Sequence, residues 1–250
     1  MSTALPETIL FSGGNRARVV YAPQGAAPDP LITALQLPSP RGILVVNGGT
    51  AQLSADLAAQ LGLLLEDGLA RVAAEEQLTI VTGATDAGIF ALLGQGLARW
   101  GRTAPCIGVA VASLTRLPEA SPSEQEQVPL EPHHSHFVLT EGEHWGDETA
   151  TMYALVAALS AHAPSVTAIA GGGSITRSEV LANTRQQRPM IVLAGSGRFA
   201  DELAAVVRGE AAPASEDVAE IARAGQISLF DLHQPPDHLA ALARQRLHLM

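Results

Sequence analysis

A chain of 250 residues in which 47% are hydrophobic and 16% charged is large enough to bury a sizeable core, and that balance excludes global disorder. Aromatic residues make up only 4%, so the core is built from Ala, Val, Leu and Ile, which suits helices packed on a parallel sheet. The net charge of −10 opposes nucleic-acid backbones, and no nucleic-acid partner is expected. A small phosphate ligand is still admissible, because backbone N–H groups at a helix N-terminus hold phosphate without a basic surface.

The opening residues Met1 to Glu7 lack a basic region followed by an apolar one, so no signal peptide is expected and the protein is placed in the cytoplasm. Two β-like runs, Thr8 to Phe11 and Arg18 to Tyr21, flank Ser12-Gly13-Gly14-Asn15 and predict a hairpin. A Pro-rich link from Pro23 to Pro40 follows. From there a short β-branched run, a Gly-rich turn and an amphipathic helix recur. Ile43 to Val46 precedes Asn47-Gly48-Gly49-Thr50 and a helix from Ser54 to Glu76. Thr79 to Val81 precedes Gly83 to Gly88 and a helix to Trp100. Ile107 to Val111 is a third strand of this series. Cys106 beside it is the only cysteine, which excludes a disulfide framework and reads as a small buried hydrophobe.

The stretch from Ser113 to Pro132 reads as a solvated loop. His136 to Thr140 is a strand leading to a helix from Asp147 to Ala161, and Val166 to Ala170 precedes Gly171-Gly172-Gly173-Ser174 and a helix to Asn183. The uncharged run from Thr149 to Thr176 is broken by Pro164 and the triple Gly, so no membrane insertion is expected. Met190 to Leu193 precedes Gly195-Ser196-Gly197-Arg198 and a helix to Val207. Helices at Ser215 to Ala224 and Asp237 to Leu247, with an apolar piece at Ile227 to Phe230, form a packing tail. Alternating strands and helices imply parallel pairing with right-handed crossovers. The expected fold is a Rossmann-like, doubly wound α/β domain with helices on both faces. A hairpin and linker occupy 1–40, the core 41–207 and a helical tail 208–250.

In such a sheet the loops at the carboxyl ends of the strands share one edge, where ligands bind. Four Gly-rich strand-to-helix turns there point to a nucleotide pocket, since Gly admits close approach of the backbone to phosphate. None of the four is the G-x-G-x-x-G or G-x-x-x-x-G-K-[ST] loop. That argues against an ordinary dehydrogenase or P-loop NTPase.

Taken together and in order, Val46-Asn47-Gly48-Gly49, Ile80 to Gly88, His134-Ser135-His136-Phe137 and Gly195-Ser196-Gly197-Arg198 closely resemble the SLOG domain of melastatin-type TRP channels, in its stand-alone prokaryotic form. The resemblance covers about Arg41 to Val207. It implies a Rossmann-like fold that senses nucleotide-derived signals such as ADP-ribose or cyclic ADP-ribose. The channel segments are absent, so the output passes to an effector partner, and the expectation admits a homo-oligomer. The wider superfamily includes Lonely Guy-type phosphoribohydrolases, whose P-G-G-x-G-T-x-x-E motif aligns with Gly171 to Glu179. Thr176 and Glu179 match it, whereas Gly171 stands for Pro and Ile175 for Gly.

The expected ligand-binding set is therefore Asn47, Gly48, Gly49, Thr50, Gly83, Thr85, Asp86, Gly88, His134, His136, Gly171, Gly172, Gly173, Ser174, Thr176, Glu179, Gly195, Ser196, Gly197 and Arg198. Thr176 and Glu179 become the catalytic pair if the chain is a hydrolase. Glu179 is placed to bind ribose hydroxyls or stabilise an oxocarbenium-like state, against the alternative of an acid favoured near a helix N-terminus. Asp86 either caps the following helix or contacts ribose. Strand alternation puts His134 and His136 on one face, as hydrogen-bonding or ligand-facing groups. The histidine spacing fits no zinc motif, so neither a metal nor a cofactor is expected. Arg198 is the cation for phosphate, against the alternative of a surface pair with Asp201 or Glu202.

Overall fold

The computed structural model describes residues 5–50, 53–101, 104–118, 120 and 126–249. The predicted hairpin forms as β1 (Glu7–Leu10) and β2 (Arg16–Ala22), paired antiparallel. The Pro-rich link carries a helix that the sequence reading left out. This is α1 (Pro28–Leu35), with proline in its first turn, where the missing N–H costs nothing. Next come β3 (Ile43–Gly48) and a long helix in three parts: α2 (Ala55–Leu63), a π-helical segment (Leu64–Ala70) and α3 (Arg71–Glu75). They are followed by β4 (Thr79–Thr82), α4 (Gly88–Trp100) and β5 (Cys106–Val111).

The expected solvated loop is ordered at both of its described ends. Within it β6 (Thr115–Arg116) pairs in parallel with β7 (Val128–Pro129), and Leu130 and Glu131 are buried. After it come β8 (His136–Thr140), α5 (Thr149–Ser160), β9 (Ser165–Ala170), α6 (Ser174–Arg185), β10 (Met190–Ala194) and α7 (Arg198–Val207). The tail adds more than helical packing. Between α8 (Glu216–Ala224) and α9 (Pro236–Arg246), β11 (Ile227–Asp231) joins the main sheet in parallel with β10.

The main sheet has nine strands in the order β1-β2-β8-β5-β4-β3-β9-β10-β11, and every pairing except β1 with β2 is parallel. This is the expected doubly wound architecture. Alternate side chains of each central strand go to opposite faces. Leu44 and Val46 of β3 pack with the α2–α3 helix, α4 and α9, while Ile43 and Val45 pack with α1 and α5. Burial of each such side chain contributes about 1.5–3 kcal/mol. A third cluster fixes α6, α7 and α8 against Ile169, Met190 and Val192.

The chain runs from β3 outward through β4, β5 and β8, then returns to β3's other side with β9 and continues through β10 to β11. The topological switch point therefore lies between β3 and β9. There the loops after the two strands part to opposite faces and leave a crevice at the carboxyl edge.

Candidate functional site

A cleft of about 380 Å³ occupies that crevice. The first loop supplies Gly48, Gly49 and Thr50, the second Gly83 and Thr85, and the third Gly173 and Ser174, with Thr176 and Glu179 on the first turns of α6. The close fit of these loops explains their glycines. A Cβ on Gly48 would run into the Ala170 carbonyl, and Gly49 donates its N–H to that same carbonyl at 3.0 Å. Gly88 does not border the cleft. It has φ +51, and a Cβ there would strike the Gly49 carbonyl, so it seats the start of α4 under the first loop.

The helices are capped unequally at their N-termini. Serine hydroxyls cap α2 and α8 through Ser54 and Ser215, whereas no side chain caps α6, whose N-cap is Gly173. The first N–H groups of an α-helix have no partner within it. Those of α6 open into the cleft beside Ser174 and make a ready anion site.

The fourth loop is used differently from expectation. Phe199 and Ala200 of α7 donate their N–H groups to the carbonyls of Gly172 and Gly171, and the Gly195 N–H goes to Asp201 at 2.6 Å. The buried Ser196 hydroxyl accepts from the Gly171 N–H at 2.9 Å and donates to the Leu193 carbonyl. Ser196 and the first turn of α7 thus buttress the triple-Gly loop, and Arg198 alone of the fourth loop reaches the cleft. Gly171 and Gly172 likewise shape the turn, at φ +60 and +91, while Gly173 borders the opening.

Arg198 is exposed and lies close enough to Gly173 that a Cβ there would sit 3.3 Å from its guanidinium. The anticipated surface pairs do not form. Asp201 is taken by Gly195, and Glu202 lies 3.9 Å from Arg177. Among the described residues Arg198 has no ion-pair partner.

Two carboxylates border the cleft, both largely buried: Glu179 on α6 and Glu148 just before α5. Burial and the neighbouring Glu148 push Glu179 up to about 8, against an opposing hydrogen bond from Asn47. Burial raises Glu148 as well, and Asp147 adds to it against the lowering effect of N–H bonds such as that from Gly146. Near neutral pH Glu179 is therefore mostly protonated, which spares an anionic ligand a doubly charged wall and makes the carboxyl a hydrogen-bond donor.

Asn47 lies beneath the cleft and orients Glu179. Its Oδ1 accepts from the Tyr153 hydroxyl at 2.7 Å and from Asn183 Nδ2 at 3.3 Å, which leaves its amide N–H₂ for the carboxyl. The Thr85 hydroxyl, on a buried cleft-lining residue, has no hydrogen-bond partner among the described residues. Buried polar groups are normally paired.

Three anticipated residues stand apart. Asp86 is exposed, does not border the cleft and does not cap α4, whose N-cap is Ala87. His134 turns inward instead of toward the cleft, with Nδ1 2.6 Å from Glu131, Nε2 2.6 Å from the Thr82 hydroxyl, and its ring stacked on Phe137. Burial works against charge on His134, but the Glu131 carboxylate at Nδ1 opposes it and the ring is raised above the ordinary imidazole value. His136 opens β8 at the amino edge of the sheet, the end away from the cleft. Strand alternation misplaced the pair because β8 begins only at His136, and the chain before it turns back onto Glu131.

The sequence reading passed over Glu148, Trp145, Phe90, Val128 and Ile175, all of which border the cleft. A signal for the first two was available. Trp145-Gly146-Asp147-Glu148 occupies the same strand-to-helix position after β8 as the Gly-rich loops do after their strands. Ile175, which replaces a motif glycine of the phosphoribohydrolases, leans over Gly146 and fills part of that wall.

The family model described as SLOG in TRPM, prokaryote, matches residues 41–241. The chain belongs to this family. The match runs beyond the core inferred from sequence and takes in β11 and part of α9, consistent with a SLOG fold that includes the tail strand. The SLOG assignment makes this a domain for binding or processing a nucleotide-related ligand. No helix among its described residues is long and apolar enough to cross a membrane.

Proposed function

We propose that this SLOG domain is a cytoplasmic binder of a nucleotide-derived ligand such as ADP-ribose or a cyclic relative, and that it reports occupancy to an effector partner. The carrying observation is the unpaired Arg198 guanidinium beside Gly173 at the uncapped N-terminus of α6. A guanidinium and a set of free backbone N–H groups aimed at one volume suit a phosphate or diphosphate. Protonated Glu179 and the Thr85 hydroxyl supply hydrogen bonds for ribose, and Trp145 offers an apolar face on the rim. In this reading ADP-ribose raises the melting temperature more than AMP does. A ligand at 100 times its dissociation constant adds about 2.7 kcal/mol to stability. Equal stabilisation by AMP would make the cleft a mononucleotide site, and no shift with any nucleotide would remove the reading.

A second reading, hydrolysis of the N-glycosidic bond of nucleoside monophosphates, is favoured by one observation. Glu179 is held protonated next to Glu148, an arrangement suited to a general acid with a second carboxylate. Incubation with AMP, other nucleoside monophosphates and ADP-ribose, followed by detection of free base, separates the two. Base release that Glu179→Gln abolishes would establish the enzyme.

A further inference from the structure

At the opposite, amino-terminal edge of the sheet lies a second cavity of about 450 Å³, beneath the C-terminal ends of α5 and α6 and closed by the end of α9. Its cationic lining is unlike the rest of this acidic chain. Arg188, Arg246 and His248 border it, with Ser160, Ser165 and Gln186 between them, and no Asp or Glu is among its described lining residues.

Arg188 is 3% exposed and forms no ion pair among the described residues. Its Nε donates to the Ser165 hydroxyl at 3.0 Å, Nη1 to Asn183 Oδ1 at 2.6 Å and Nη2 to Gln186 Oε1 at 2.8 Å. All three acceptors are neutral, and a guanidinium carries five N–H donors. A buried cation held only by neutral groups is costly unless an anion joins it. Two further polar atoms of the same lining, Ser160 Oγ and Arg246 Nε, are buried without any partner among the described residues. Four groups therefore border one volume: a fixed guanidinium, a second guanidinium with an unpartnered donor, an unpartnered hydroxyl and an imidazole. Such a set matches a tetrahedral oxyanion, to which arginine donates two parallel hydrogen bonds.

We propose that this cavity is a second anion site, which takes phosphate or the phosphoryl group of a small metabolite. Its lining shares no residue with the carboxyl-edge cleft, and the two are joined only beneath the sheet surface, where Asn183 bonds both Arg188 and Asn47. The three Arg188 bonds orient the guanidinium, and Arg246 completes the charge.

The test is a ³¹P NMR titration of the full chain with inorganic phosphate in the Arg198→Ala background, which removes the cleft's cation, with chloride controls at matched ionic strength. Saturable broadening of the phosphate resonance is expected. Adding Arg246→Ala should weaken it roughly tenfold, as loss of a charge-assisted contact requires. Ala157→Glu, which sets a carboxylate on an exposed residue of the lining, should abolish it without unfolding the protein. Non-saturable broadening in the Arg198→Ala background, or saturable binding that survives both added substitutions, would overturn the proposal. A failure of nucleotide binding at the cleft leaves this result unaffected.

Discussion

Replacing Glu179 by Gln mimics the protonated carboxyl while keeping an oxygen for the Asn47 amide, so the substitution isolates the cost of ionising this side chain. In the folded chain burial and the neighbouring Glu148 push Glu179 up to about 8, against an ordinary glutamate value of 4.5. Because the folded value is raised, the folded state binds the extra proton between these limits, and stability falls as pH rises from about 4.5 through 8. At ~1.4 kcal/mol per pH unit, that interval corresponds to an order of 5 kcal/mol, fully expressed above pH 8 and absent below 4.5.

Urea denaturation of wild type and Glu179→Gln at pH 5, 7 and 9 reads this directly. The two proteins should be nearly equal at pH 5, and the variant should be more stable at pH 9 by a few kcal/mol. In a chain of this size that is a melting-point gain of about 10 °C. Glu148 is raised by burial too, and because its charge is part of what raises Glu179, the difference curve reads Glu179 together with that coupling. Parallel profiles for the two proteins would refute the claim that Glu179 is buried and held protonated.

Other substitutions probe the remaining parts of the account. Arg198→Ala should leave the melting temperature within about 2 °C, because an exposed arginine without a partner contributes little, yet weaken nucleotide binding at least about tenfold by calorimetry. Tyr153→Phe removes the hydroxyl that donates to Asn47 and accepts from Asn183 at 2.8 Å; it should cost about 1–3 kcal/mol in urea denaturation and loosen Glu179. Gly172→Val should be a stability mutation, losing at least about 2 kcal/mol, since its φ is +91 and a Cβ would sit 2.5 Å from Thr176. Gly197→Ala has open space around it and only a positive φ of +87 to resist it, so it should cost about half as much or less.

The layered fold was legible in the sequence because β3, β4, β9 and β10 are short apolar runs, each followed by a helix that packs on the sheet. The Pro-rich link hid α1, because proline reads as a break although it is well tolerated in a first helical turn. The tail strand β11 was taken for packing because its sequence, Ile-Ser-Leu-Phe-Asp, is short and lies between two helices; only pairing with β10 makes it a strand.

At the candidate site, the glycines marked where the backbone is tight, and all four loops reach the cleft, the fourth through Arg198 alone. They did not say which loop offers free N–H groups and which is committed to internal bonds, since the fourth loop's N–H groups go to Asp201 and Leu193 while its Ser196 hydroxyl accepts from Gly171, far away in sequence. Glu148 was missed for a related reason, as its loop after β8 carries no glycine cluster. His134 was drawn inward by Glu131, a partner whose burial no local pattern announces.

A structure of the protein crystallised with ADP-ribose tests the central claim most directly. The diphosphate should lie within hydrogen-bonding distance of the Arg198 guanidinium and the first N–H groups of α6, with a ribose hydroxyl at Glu179. Ligand bound away from the β3–β9 crevice, or lying in it with its phosphates turned from Arg198, would contradict the account.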